Sequence, residues 1–148
     1  MSEEKKRLEE MRLRKNAFTN HNAFELETVG EDRAVYRLDI RPESLNPYGM
    51  VHGGALYTLA ADAAGAAVPS TGSYYVTQSG NLQFIKNQGC GSIWANARVR
   101  HRGRSTCLAS VDIVNEKGDL LATGEFSYFR VDRDLMEEKA KQADKARG

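Results

Sequence analysis

Residues 53–68 read GGALYTLAADAAGAAV, and this stretch constrains the fold more than any other part of the chain. Alanine, leucine and glycine dominate it, so a helix formed there is apolar on nearly every side. Such a helix has to be enclosed by protein and cannot lie half in water. It is too short to span a bilayer, and it carries Asp62 within it. Pro69 ends it, followed by Ser70, Thr71, Gly72 and Ser73.

The enclosing surface has to come from the flanking strands, whose patterns begin at Phe24. Ala34–Ile40 alternates, with Tyr36, Leu38 and Ile40 on one face and Arg37 and Asp39 on the other. Gly30, Glu31 and Asp32 mark the turn before it. Arg41–Val51 is irregular, and Pro47 keeps Asn46 extended. Beyond the helix, strands are expected over Tyr74–Ile85, Ile93–Arg100, Thr106–Val114 and Leu120–Val131. The gaps at 87–91, 101–104 and 115–119 are short and contain glycine, which favours antiparallel hairpins. The expected class is therefore α+β: one long central helix wrapped by an antiparallel sheet of about six strands.

Both ends carry charge in place of apolar periodicity. Residues 3–15 (EEKKRLEEMRLRK) read as an exposed helix, because Leu8, Met11 and Leu13 are too few for a core stripe. After Asp132 the tail is acidic early (Asp134, Glu137, Glu138) and basic late (Lys139, Lys141, Lys145, Arg147), an order that suits a solvated helix. The chain is thus read as an extension over 1–16, a domain over 17–131 and a tail over 132–148.

A length of 148 residues suits one domain whose core needs neither disulfides nor a structural metal. With 21 Lys+Arg against 20 Asp+Glu, nothing points to nucleic acid or a membrane as partner. The charged opening argues against a signal peptide. Cys90 and Cys107 lack metal-type spacing, so free thiols in a cytoplasmic protein are expected. His21, His52 and His101 form no ligand spacing with cysteines or carboxylates. No Gly-x-Ser-x-Gly elbow and no phosphate-binding glycine loop is present. No metal or redox cofactor is expected.

The segment Asn46-Pro-Tyr-Gly-Met-Val-His52-Gly53-Gly54 runs straight into the buried helix. A glycine pair at a helix start lets a ligand approach the backbone closely. The first N–H groups there have no partner within the helix and lie at the positive end of its dipole. A carbonyl oxygen gaining negative charge can be stabilised at that point. His52 can fix the loop by hydrogen bonding. The ordinary role of such a triplet is a turn with a structural histidine.

NPYGMVHGGALYTLAADAAGAA resembles the corresponding stretch of the hotdog-fold thioesterases, in particular the PaaI-type (phenylacetate-degradation) group. The resemblance continues through VTQSGNLQFIK at 76–86 and LLATGEFSYFRV at 120–131, and covers roughly residues 17–131. It implies a hotdog fold and hydrolysis of acyl-CoA thioesters to a free acid and CoA, with CoA entering only as part of the substrate. It also implies homodimers or dimers of dimers (homotetramers), with the site between subunits. By matching position, the Gly53 and Gly54 backbone would polarise the thioester carbonyl. Asn46 and His52 would orient the thioester or the attacking water. A carboxylate on the partner's helix would act as base or nucleophile.

In that family the carboxylate usually lies nine residues after the histidine, which is Ala61 here; the acid is Asp62. One step along a helix turns a side chain by ~100° and advances it ~1.5 Å. Three readings stay open. Asp62 reaches the site through a local shift of the helix; or the chain binds acyl-CoA without hydrolysing it; or the catalytic acid is gone and Asp62 is structural. A carboxylate in an apolar helix needs a partner or a use, and Thr58, one turn earlier, is the nearest candidate to bond it. A hotdog dehydratase would need a second acid that the sequence does not offer.

Other residues make weaker claims. Ser79, Asn81 and Gln83 alternate on one face of a strand, and Asn81 is a candidate substrate contact because the family strand carries a similar polar position. Tyr57, with Tyr74, Tyr75 and Phe84, fits a core or acyl-pocket wall. Arg98, Arg100 and Arg102, with His101 and Arg104, would suit a basic rim for the phosphates of CoA, Arg100 and Arg104 foremost. The same cluster suits a plain solvated hairpin.

Overall fold

The computed structural model describes residues 2–3, 5–6, 9–10, 16–69 and 73–148. Of the helix expected over 3–15, Glu3, Lys5, Lys6, Glu9 and Glu10 are helical and exposed, and the rest lies outside the described residues. A short helix α1 (Ala17–His21) leads into strands β1 (Glu25–Gly30) and β2 (Arg33–Asp39). A single 3-10 turn, Pro42–Ser44, precedes the long helix α2 (Gly53–Ala67). Strands β3 (Ser73–Phe84), β4 (Ser92–Arg102), β5 (Thr106–Asn115) and β6 (Leu120–Asp132) follow, then helix α3 (Arg133–Arg147).

The six strands form one sheet in the order β1-β2-β4-β5-β6-β3, antiparallel throughout. It is the expected hotdog arrangement, with α2 enclosed by the inner face of the sheet. Small side chains on both layers permit this. Ala60, Ala63, Ala64 and Ala67 of α2 are buried, as are Ala34, Ala95, Ala97, Ala109 and Ala122 on the strands. Larger side chains fill the remaining space, among them Leu56, Leu59, Leu38, Ile93, Ile113, Leu121 and Phe126. The alternation expected for β2 holds: Leu38 is fully buried, and Tyr36 and Ile40 pack against the core.

The helix is not enclosed all round. Gly54 and Tyr57 are exposed, and Thr58, Ala61, Asp62 and Gly65 are half-buried, so one stripe of α2 faces away from the sheet. The sheet itself has an open margin at β3. That strand has twelve residues, SYYVTQSGNLQF, pairs with β6 on one side only, and contains no charge and no proline. Edge strands are ordinarily protected by such residues. The tail helix is capped by Asp132, whose side chain accepts from Leu135 N at 3.0 Å, and its face is solvated as its charge order requires. Cys90 and Cys107 are both free. Among the described residues, no helix is long and apolar enough to cross a membrane.

Candidate active site

The loop before α2 is clamped by its neighbours. The Asn46 side-chain oxygen accepts from the backbone N–H groups of Tyr48 (2.9 Å) and Met50 (3.2 Å). Val51 N donates to Gln88 O at 3.0 Å, Asn87 Nδ2 to Val51 O at 2.8 Å, and His52 N to Ser44 O at 2.8 Å. The backbones of the 46–51 and 87–91 loops touch. A Cβ added at Gly89 would stand 2.2 Å from the carbonyl oxygen of Gly49, so only glycine fits there. Asn46 is therefore the organiser of the loop through its oxygen, and its amide nitrogen has no acceptor among the described residues.

His52 is the N-cap of α2, and its Nδ1 accepts from Gly54 N at 2.8 Å. An accepting Nδ1 leaves the proton of the neutral ring on Nε2. His52 is exposed, so that second N–H is available as a donor. The sequence led us to expect free amides at both glycines, and half of that needs correction. The Gly54 N–H is consumed by the cap. The Gly53 N–H has no acceptor among the described residues. The helix start thus presents two donors, Gly53 N–H and His52 Nε2–H. The Phe84 ring lies against Gly53, and Tyr48, Met50 and Ile85 of the adjoining segments are exposed apolar side chains.

Asp62 is held differently from the expectation. Thr58 Oγ1 donates to the Gly54 carbonyl at 2.9 Å, as a helical threonine does when its hydroxyl bonds back one turn. The partner of Asp62 is Thr19 on α1, whose hydroxyl donates to Oδ2 at 2.6 Å. Thr19 is itself buried, and no local pattern in the sequence marks it for this role. Asn16, which caps α1 by accepting from Thr19 N at 3.3 Å, was the one readable sign that a helix begins there. Burial pushes the Asp62 carboxyl up to about 6, against the lowering effect of the Thr19 bond.

The two sides of the open stripe differ. Tyr57 reaches β3: a Cβ on Gly80 would meet its hydroxyl at 2.6 Å, and its ring lies edge-on to Phe126 at 5.3 Å. Ala61, one turn further on, follows Tyr57 on the same side. Asp62 is turned instead toward α1.

The remaining candidates are dispersed. Asn81 and Arg100 line an open polar groove of about 370 Å³ together with Asn96, Arg98, Asp112 and Glu125. Their strand neighbours Leu82 and Ala97 point inward and are buried, so this groove is on the outer face of the sheet, away from α2. Within one chain Asn81 therefore does not lie beneath a ligand bound at Gly53. Arg102 is committed to Asp32 (2.7 Å) and to the Tyr75 hydroxyl (3.1 Å). Arg104 is exposed in the β4–β5 turn, beside the start of β3, whereas Gly53 lies at its end. At ~3.3 Å per strand residue that separation is roughly 30 Å. Among the described residues, no three His, Cys, Asp or Glu side chains gather as a metal site would need.

Residues 48–122 match the family model described as the thioesterase superfamily. A putative esterase of Mycobacterium tuberculosis H37Rv, Rv1847, is 30% identical over 114 residues, which is 73% of this chain and 81% of that protein. The acyl-coenzyme A thioesterase PaaI of Escherichia coli K12 is 30% identical over 96 residues, covering 64% of this chain and 69% of its own. The solved structure of the E. coli PaaI protein superposes with a TM-score of 0.80 at 25% identity, over 88% of this chain and 96% of that one. The family-model match contains most of the clamped loop, though not Asn46, together with the capped glycine pair and the whole of α2. This chain belongs to the thioesterase superfamily, as a PaaI-like hotdog protein of a hydrolase family.

Proposed function

We propose that this protein hydrolyses acyl-CoA thioesters to a free acid and CoA at a site completed by a second copy of the chain. The observation that carries the reading is the start of α2, where the Gly53 N–H has no acceptor among the described residues and the neighbouring His52 ring offers its Nε2–H. Two donors at one helix start suit a thioester carbonyl whose oxygen gains charge as water attacks. Asp62 takes the proton of that water, the C–S bond breaks, and the departing sulfur receives the proton from the carboxyl.

Asp62 of the same chain cannot serve its own Gly53. Nine residues of helix separate them, about 14 Å at ~1.5 Å per residue. A second copy solves this, and the bare β3 edge supports one. Antiparallel pairing of two β3 strands places the end of one against the start of the other. The Gly53 end of one copy then approaches the second half of the other copy's α2 and its β4–β5 turn, where Arg104 is free to meet a phosphate. The same pairing supports a homodimer as the smallest competent unit. Asn46 acts through the loop it holds and Tyr57 as a wall of the acyl pocket.

A second reading, acyl-CoA binding without turnover, is favoured by one observation. Ala61, in the family's usual acid position, sits on the β3 side of the helix, while Asp62 is bonded to α1. The two readings separate by steady-state hydrolysis of aryl-, short- and medium-chain acyl-CoAs, run beside equilibrium binding. Turnover above buffer that is lost in Asp62→Asn supports the first. Saturable binding with no turnover by the folded protein supports the second and ends the first.

A further inference from the structure

We infer that Thr19 is a positioning residue for Asp62, so that helix α1 forms part of the active site; this rests on the hydrolytic reading above. The geometry is specific. The Thr19 hydroxyl gives its only proton to Asp62 Oδ2 at 2.6 Å, from a side chain almost wholly removed from solvent. A buried threonine at that distance fixes the plane of the carboxylate. Asp62 Oδ1 has no hydrogen-bond partner among the described residues, so one oxygen is anchored and the other is open. A base needs this division: Oδ1 takes the proton from the water that attacks the carbonyl carbon, and returns it to the sulfur when the C–S bond breaks.

The other groups around Asp62 leave this task to Thr19. Tyr36 of β2 and Tyr128 of β6 are within electrostatic reach of it. Burial, with the nearby Asp62 charge adding to it, pushes Tyr36 up to about 12 and raises Tyr128 as well, so both remain neutral. No cation among the described residues contributes to the Asp62 environment. The Thr19 bond alone favours the charged form against burial.

The test compares Thr19→Val and Thr19→Ser with the unaltered full chain. Two quantities are read: the titration of the Asp62 carboxyl by 13C NMR, assigned with Asp62→Asn, and the pH dependence of kcat/KM for the best acyl-CoA. In Thr19→Val the titration midpoint and the acid limb of the profile should both move to higher pH. kcat should fall about tenfold or more with KM little changed, as for a misplaced base. Thr19→Ser should restore both. A folded Thr19→Val protein whose carboxyl titrates as in the parent overturns the inference, as does a serine variant that behaves like valine. If the titration moves as stated while no form of the protein hydrolyses any ester, the hold of Thr19 on the carboxylate stands and the hydrolytic reading falls.

Discussion

Asp62→Asn should make the protein more stable at neutral pH, and the gain should vanish in acid. The substitution keeps an oxygen that can accept from Thr19 Oγ1 and removes the charge. The carboxyl lies at about 6 in the folded chain against an ordinary value of 3.8, with burial as the larger cause. Below 3.8 both states carry the proton and no cost arises. Between 3.8 and about 6 the unfolded chain ionises while the folded one stays protonated, so folding stability declines as pH rises. Above that window the cost is constant. At ~1.4 kcal/mol per pH unit it reaches at most ~3 kcal/mol, and the half-buried position brings it to ~1–3 kcal/mol. Urea unfolding at fixed protein concentration, run at pH 4, 6 and 8 on both proteins, reads this directly. The asparagine form should exceed the parent at pH 8 by that amount, melt roughly 4–10 °C higher, and lose most of that gain by pH 4. An asparagine form less stable at pH 8, or an offset independent of pH, refutes the reasoning.

Three further outcomes follow from the same geometry. Ala61→Asp puts a carboxylate on the β3 side of α2, and if the chain only binds acyl-CoA, hydrolysis should rise about 100-fold or more in a steady-state assay. Gly89→Ala drives a methyl group into the Gly49 carbonyl; it should cost ~1–3 kcal/mol in urea unfolding and weaken acyl-CoA binding by displacing the loop before His52. Thr77→Lys with Gln78→Lys charges the exposed β3 edge, and light scattering should then find monomers that have lost activity while retaining their circular dichroism.

What could be read from the sequence follows the reach of each interaction. The helix at 53–68, the hairpins and the inward face of β2 came from local periodicity and turn chemistry, which neighbouring residues determine. Strand ends moved by a residue or two, as with β4, which runs to Arg102 because its bulge beside Val99 extends pairing into the turn. The glycine pair was visible, but the loss of one amide to His52 depended on a ring rotamer that spacing does not encode. Thr58 was the reasonable local partner for Asp62, and it turned back to its own helix. The actual partner lies 43 residues away in sequence, brought there only by folding of α1 onto α2. Asn81 and Arg100 were singled out by a family resemblance and by charge, neither of which says which side of the sheet a side chain takes; within one chain both line the outer groove.

The bare edge of β3 also bears on how a lone chain behaves in solution. A lone molecule offers a neutral, proline-free row of backbone donors and acceptors to any extended peptide. Overproduction that leaves this row uncovered should therefore yield fibrous or insoluble material. A synthetic SYYVTQSGNLQF peptide should bind that row and keep the chain soluble.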